Sequence, residues 1–264
     1  MNQATDNWSS SNPYEYFMGR WSRRMAPVFL DWLKPSPDLN WLDLGCGTGA
    51  LSETILAHGR PARLICTDPS QDFLQQTQER LAGKADFAVG NAGAIPVDSN
   101  TVDVLVSGLA LNFFPDLPAA LAEMKRVVKP GGTIAAYVWD YAGRMDFLRI
   151  FWDIACELHP EACHLDEGIR FPICHADRLE GAFREAGLTE ISTAHLDVNT
   201  VFENFEDYWN PFLSKQGPAP GFVATLSDHQ KEALREALYT KLHSRKDARI
   251  SLLARAIAVK GINN

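Results

Sequence analysis

The chain has 264 residues, 46% hydrophobic and 22% charged, a balance typical of a globular chain that buries about 70–75% of its unfolded surface with no disulfide or metal staple. Its 25 basic and 33 acidic side chains leave a formal net charge of −8, which argues against a nucleic-acid backbone or an anionic membrane as the main partner. The basic runs Arg20–Arg24 and Lys241–Arg249 are short and interrupted and read as solvated faces. No apolar run approaches the ~18 residues of a membrane span. Met1 to Phe17 has no basic region and apolar block of a secretory signal. Five scattered cysteines complete the expectation of a cytoplasmic protein with reduced thiols.

In chain order, Trp41–Leu44 reads as a short strand that ends in Gly45-Cys46-Gly47-Thr48-Gly49, followed by a helical pattern through Leu51, Ile55 and Leu56. Arg63–Thr67 is a second strand, closed by Asp68-Pro69-Ser70, where Pro69 disfavours helix at Asp68 and Ser70 caps a polar helix over Gln71–Leu81. Phe87–Val89 and Val102–Val106 are further strands, the latter apolar enough for burial on both faces. Pro118 opens a helix striped by Leu121, Met124, Val127 and Val128, Pro130-Gly131-Gly132 stops it, and Thr133–Trp139 is rich in strand formers. This alternation predicts a doubly wound parallel sheet. After residue 140 the pattern loosens: helices over Met145–Leu158, Ala176–Ala186 and Ser227–His243, strands over Thr189–Phe202 and Ile250–Val259, and an aromatic, then Gly/Pro-rich, connection over Asn204–Pro220.

The chemistry concentrates at Asp43-Leu44-Gly45-Cys46-Gly47-Thr48-Gly49. Glycines serve where a strand turns sharply into a helix and a ligand touches the backbone, and the helix N-terminus offers unpaired N–H groups. A carboxylate at Asp43 would repel a pyrophosphate yet could hold a cationic amino group. Asp68, at the end of the second strand, fits an acceptor for a ribose diol.

These segments resemble the class I S-adenosylmethionine-dependent methyltransferases, of the small-molecule, type 11-like group, from roughly Tyr14 to Val259. The glycine segment is similar to the family's first motif and Asp68 to its second. Gly90-Asn91-Ala92 with Ile95-Pro96-Val97 is similar to the third, with Asn91 in place of the usual Asp. Val102–Leu111 with Asn112-Phe113-Phe114-Pro115, and Arg126–Thr133, resemble the fourth strand with its exit loop and the run before the fifth. The resemblance implies an α/β, Rossmann-like fold: a seven-stranded, mostly parallel sheet with an antiparallel last strand and helical lid insertions. It implies one methyltransferase domain over 1–264, an N-terminal cofactor cover over 1–34, and lid insertions over 141–175 and 203–248. S-adenosylmethionine, giving S-adenosylhomocysteine, would lie at the carboxyl ends of the first strands. Gly45 and Gly47 would admit its methionine portion beside Asp43 and the small Cys46, with Gly108 and Leu109 as a border. Asp68, with Pro69, would take the ribose, and Asn91 and Ala92 the adenine. Tyr16, Arg20 and Trp21 would belong to the cover, Arg20 either pairing with the cofactor carboxylate or remaining a surface charge.

An activated sulfonium methyl needs mainly alignment with its acceptor, and no residue declares itself as a base. Asn112 and Tyr141, after strands four and five, are the candidates best placed to orient a substrate; His175 is a further catalytic candidate that, like His164 and Asp140, reads better as a structural or surface residue. Asn112, Trp139, Tyr141, Phe171 and Trp209 are the candidates for walling an apolar or aromatic small acceptor, while Phe147, Phe151 and Trp152 also read as the core side of a helix. Cys156, His159, Cys163, His164, Cys174 and His175 are spaced too irregularly for a metal site. Two other readings remain open at this stage. Gly45-x-Gly47-x-x-Ala50 with Asp68 also satisfies the loose pattern of an NAD(P)-dependent oxidoreductase, and a non-catalytic member that binds cofactor or a partner would carry the same motifs.

Overall fold

The computed structural model describes residues 15–214, 217–243 and 249–264, excepting the side chains at 15, 16 and 243. The Tyr16 side chain and most of the basic run 241–249 therefore lie outside the described residues. Strands β1 (Asn40–Leu44), β2 (Arg63–Asp68), β3 (Asp86–Val89), β4 (Val102–Gly108), β5 (Val128–Trp139), β6 (Thr189–Phe202) and β7 (Ile250–Ile262) form one sheet in the order β3-β2-β1-β4-β5-β7-β6. β1 pairs in parallel with β2 and β4, β2 with β3, and β4 with β5, whereas β7 runs antiparallel to β5, with Tyr137 opposite Ala258. A dinucleotide-binding sheet would continue 3-2-1-4-5-6 in parallel. Inserting β7 antiparallel beside β5 distinguishes this chain from that oxidoreductase arrangement.

Local chemistry accounts for the regular half. Trp41, Leu42 and Leu44 are buried on both faces of the central strand β1, as a strand covered by helices requires. Helix α1 spans Arg20–Leu33, and α2 (Ala50–Thr54) runs on into a wider π-type turn through Gly59. Helix α3 (Gln71–Leu81) starts where the Ser70 hydroxyl accepts the Phe73 N–H at 3.3 Å, and α4 (Leu117–Val127) where Asp116 accepts the Ala119 N–H at 3.0 Å. These are the N-caps that satisfy orphan amides of a first helical turn.

Helix α1, over a stretch for which the sequence reading gave no element, carries Pro27 inside it, and Met25, Ala26 and Phe29 are fully buried along it. Two features depart from the sequence reading. Pro130-Gly131-Gly132 lies within the span of β5, because the chain turns extended already at Val128. The connection 204–220 is mostly helical: α8 (Phe205–Trp209), a 3-10 turn over Asn210–Leu213 and α9 (Pro218–Thr225). The remaining helices are α5 (Asp146–Leu158), α6 (Glu167–Arg170), α7 (Ala176–Glu185) and α10 (Asp228–His243), with numbers assigned in chain order.

The chain divides into two compact units. The larger comprises 22–139, 173–196 and 256–264 and contains the parallel strands. The smaller comprises 1–21, 140–172 and 197–255. The smaller unit has an aromatic core in which Phe151 stacks on Phe212 with centroids 4.4 Å apart and Phe17 meets Phe147 edge-on at 5.9 Å. Tyr208 donates its hydroxyl to the Phe147 carbonyl at 2.9 Å, and burial pushes that phenol's pKa up. Cys156, near the end of α5, is joined to Cys163 by a disulfide, with Cα atoms 5.2 Å apart. The expectation of five reduced thiols is thus corrected for this pair: α5 ends at Leu158 and the following 3-10 turn brings a residue seven positions on back beside it. Cys46, Cys66 and Cys174 are buried and take part in no disulfide among the described residues. Among the described residues no helix is long and apolar enough to cross a membrane, and no cluster of three metal-ligating side chains occurs.

Candidate cofactor-binding site

Within the larger unit, the carboxyl ends of β1, β2, β3 and β4 bring together Asp43, Gly45, Cys46, Gly47, Asp68, Pro69, Asn91, Ala92, Gly108 and Leu109. The glycine turn is pinned from below, where the Gly45 and Cys46 N–H groups both donate to the Thr67 carbonyl, at 2.8 and 3.0 Å. Gly45 is required by a close approach. At φ +75° its missing β-carbon would lie 2.7 Å from the Ala110 methyl, so the turn packs directly on the loop that leaves β4. Gly47, at φ +53°, differs: a β-carbon there would meet no atom of the described residues within 4 Å. Gly45 therefore serves packing, and Gly47 keeps open a space bordered by the loop.

Asp68 holds this loop. Its Oδ2 accepts the Gly47 N–H at 2.9 Å and its Oδ1 the Ser70 N–H at 2.8 Å. Burial pushes the carboxyl's pKa up, and these two amides pull it back. Each oxygen retains a lone pair, so two hydroxyls could still be accepted. Leu109 sits at φ +61°, an uncommon conformation for leucine, with its N–H given to the Tyr137 carbonyl at 2.8 Å. Asn91 is exposed and its Oδ1 already accepts the Gly93 N–H at 3.0 Å, while Ala92 is buried. The Asn91 oxygen thus shapes its own turn as well as being the atom expected to meet adenine.

Several polar atoms at this end of the sheet are buried without a hydrogen-bond partner among the described residues: Asp43 Oδ1, Thr67 Oγ1, Ser107 Oγ and both amide atoms of Asn112. Such atoms are costly in a folded chain unless something satisfies them. Asp43 is the clearest case. Its Oδ2 accepts the Ser52 hydroxyl at 2.5 Å, while Oδ1 has nothing. Burial pushes its carboxyl up to about 7, opposed by the Ser52 hydrogen bond and assisted by the nearby Asp68 charge. A cationic amino group would satisfy Oδ1 and stabilise the ionised form. The donor and acceptor set therefore fits S-adenosylmethionine: a carboxylate for the amino group, an open glycine backbone, and a carboxylate for the diol.

A pH-dependent stability follows. An acid whose folded pKa is raised is most favourable to folding when protonated, so stability should fall as pH rises from about 4 to about 7 and then level off. Ionising Asp43 without a cation costs on the order of 4 kcal/mol as an upper limit. Asp43→Asn should flatten this slope, raise the melting temperature at pH 8 and weaken S-adenosylmethionine binding. Proton release on binding near pH 6.5, read by calorimetry in two buffers of different ionisation enthalpy, should vanish in the variant. Equal melting curves at pH 5 and 8 in the wild type would contradict the assignment.

The cover and acceptor candidates fall in different places. Arg20 belongs to the smaller unit, where it donates to the Asp207 carboxylate at 2.9 Å and to the Asp207 carbonyl at 3.2 Å, its guanidinium lying over Trp21 and Phe202. Tyr141 and Phe171, also in the smaller unit, lie with ring centroids 5.7 Å apart, and Trp209 is 5% exposed in α8. Trp139 is buried at the end of β5, and Asn112 sits in the 3-10 turn Leu111–Phe113 after β4. His175 is exposed just before α7, and His164 is exposed with Nδ1 2.6 Å from the Glu161 carbonyl. Sequence reasoning missed Ser52, Thr67 and Ser107, whose small hydroxyls carry no spacing signal of their own.

Residues 42–136 match the sequence model of a family described as a methyltransferase domain. The ubiquinone/menaquinone biosynthesis C-methyltransferase UbiE of Cereibacter sphaeroides (strain ATCC 17029 / ATH 2.4.9) is 34% identical over 117 residues, 42% of this chain and 47% of that protein. The demethylmenaquinone methyltransferase of Desulfitobacterium hafniense (strain Y51) is 28% identical over 188 residues, 64% of this chain and 73% of that protein. The chain thus spans about half the length of the first of these relatives. A putative methyltransferase from Bacillus halodurans C-125 superposes with a TM-score of 0.58 at 15% identity, over 90% of this chain and 98% of that one. Sheet order, antiparallel β7 and the matched domain define a class I methyltransferase fold. Over residues 42–136 the chain is thus similar to methyltransferase domains, and it shares their fold.

Proposed function

We propose that the protein transfers a methyl group from S-adenosylmethionine to a small aromatic or apolar organic acceptor. The observation that carries this reading is the buried, half-satisfied Asp43 beside the open space at Gly47 and the Asp68 carboxylate. Bound S-adenosylmethionine supplies a methyl already activated on a sulfonium, so the protein's part is to hold, align and exclude water. In this reading Asp43 takes the amino group, the Gly47 backbone borders the methionine portion, and Asp68 accepts the ribose hydroxyls with Pro69 alongside. Ala92 and Asn91 flank the adenine, and Gly108 and Leu109 border the sulfonium side. Asn112, whose buried amide has no hydrogen-bond partner among the described residues, would meet the acceptor's polar group. The quinone-pathway names of two relatives make a hydroquinone or phenol ring a sensible first acceptor class.

Calorimetry with S-adenosylmethionine, S-adenosylhomocysteine and NAD tests the cofactor assignment, and turnover with a panel of hydroquinones and phenols tests the acceptor. NAD binding tighter than S-adenosylmethionine would sink it. Phe171→Ala or Trp209→Ala should reduce turnover or shift acceptor preference by about tenfold while changing cofactor affinity less than about threefold. Loss of cofactor binding in a folded variant would show that these aromatics do not act on the acceptor.

A further inference from the structure

The glycine turn is held on a third side by helix α3, through a residue with no assigned role. Thr77 is fully buried, and its hydroxyl donates to the Gly47 carbonyl at 2.7 Å, across 30 residues of sequence. Its methyl fills the place where a side chain at Gly49 would begin: a β-carbon there would lie 2.8 Å from Thr77 Cγ2, at φ +84°. One turn on, Arg80 donates to the Thr48 carbonyl at 2.7 Å and lies 3.7 Å from Glu53 of α2. The start of α3 is tied to Asp68 by the Ser70 N–H, and Asp68 in turn holds the Gly47 N–H. Gly47 is therefore gripped at both its N–H and its carbonyl by one strand–helix unit, β2–α3.

We propose that Thr77 is a positioning residue that fixes the Gly47–Gly49 backbone and so sets affinity for the methionine portion of the cofactor, independently of the nucleoside portion. The inference rests on the cofactor reading above. It separates two halves of the ligand that Asp68 links: Asp68 touches the ribose and the loop, whereas Thr77 touches only the loop. Leu74, Thr77 and Leu81 are the buried residues of an otherwise polar helix, so a hydroxyl on the apolar stripe is what marks Thr77 out.

The test compares S-adenosylhomocysteine with 5′-methylthioadenosine, which shares the nucleoside but lacks the amino-acid portion. Thr77→Val keeps the shape and removes the donor. It should weaken S-adenosylhomocysteine about tenfold and methylthioadenosine less than about twofold. Thr77→Ser restores the donor and should recover most of the loss. A merely structural role for Thr77 would lower melting temperature and weaken both ligands together, or neither, and either result overturns the proposal. Arg80→Met, on a part-exposed side chain, is the second arm if Thr77→Val does not fold: it should give the same split at about threefold, and a uniform loss or no loss there overturns the proposal equally. Gly47→Val separates the two failures. If that variant leaves S-adenosylhomocysteine binding intact, the placement of the methionine portion at this loop is wrong; if it removes binding while the Thr77→Val split is absent, only the role of Thr77 is.

Discussion

Asp68→Ala is expected to weaken S-adenosylmethionine binding by about 30- to 1000-fold, from the loss of about 2–4 kcal/mol of charge-assisted hydrogen bonding to the ribose diol. Two effects accompany the substitution. The carboxylate would lose its contacts with the hydroxyls, and the Gly47 and Ser70 N–H groups would lose their acceptors. The second effect adds a fall in melting temperature, so affinity and stability must be measured on the same samples. Asp68→Asn keeps one carbonyl oxygen and should fall between wild type and alanine. S-adenosylhomocysteine and methylthioadenosine carry the same ribose and should weaken by similar factors, which sets this variant apart from Thr77→Val. NAD should bind neither protein measurably. An unchanged dissociation constant for the methyl donor, with a lowered melting temperature, would make Asp68 a loop anchor and cap for α3 alone.

Gly47→Val should abolish S-adenosylmethionine binding, by more than about 100-fold, in a chain that stays folded. Among the described residues there is room for the side chain, since none of their atoms lies within 4 Å of the position its β-carbon would take. The backbone sits at φ +53°, which a β-branched residue tolerates poorly, at a cost of about 1–2 kcal/mol. That strain is small beside the loss of the space bordering the methionine portion. Gly47→Ala carries less strain and less bulk and should lose about tenfold. Far-ultraviolet dichroism and calorimetry decide the matter: a folded Gly47→Val protein with wild-type affinity would show that the loop faces away from the cofactor. Gly45→Ala makes the contrast, because its β-carbon would collide with Ala110 at 2.7 Å, so stability rather than affinity should suffer first.

The parallel half of the fold was legible in the sequence because its signals are local. A short apolar run, a Gly-rich turn and a capped helix repeat within a few residues, and β1, β2, α3 and β4 fall within two residues of their expected ends. Asp43 and Asp68 could be named from the same stretch, since a strand's carboxyl end is fixed by where its apolar run stops. The helical character of 204–220 was not legible, because prolines and glycines there read as breakers while the packing of Phe205, Tyr208 and Phe212 decides otherwise.

The sequence by itself determined which segments alternate and where the glycine turn joins β1 to α2, through steric and turn preferences that act between neighbours. Tertiary structure alone decided the insertion of β7 between β5 and β6, the disulfide from Cys156 to Cys163, the engagement of Arg20 by Asp207, and the grip of Thr77 on Gly47. Arg20 and Asp207 are 187 residues apart and Thr77 and Gly47 are 30 apart. Partners at such separations meet only when packing of the apolar faces has fixed the chain's path, and no periodicity or spacing along the sequence encodes which polar atoms will then be satisfied and which, like Asp43 Oδ1, will be left waiting for a ligand.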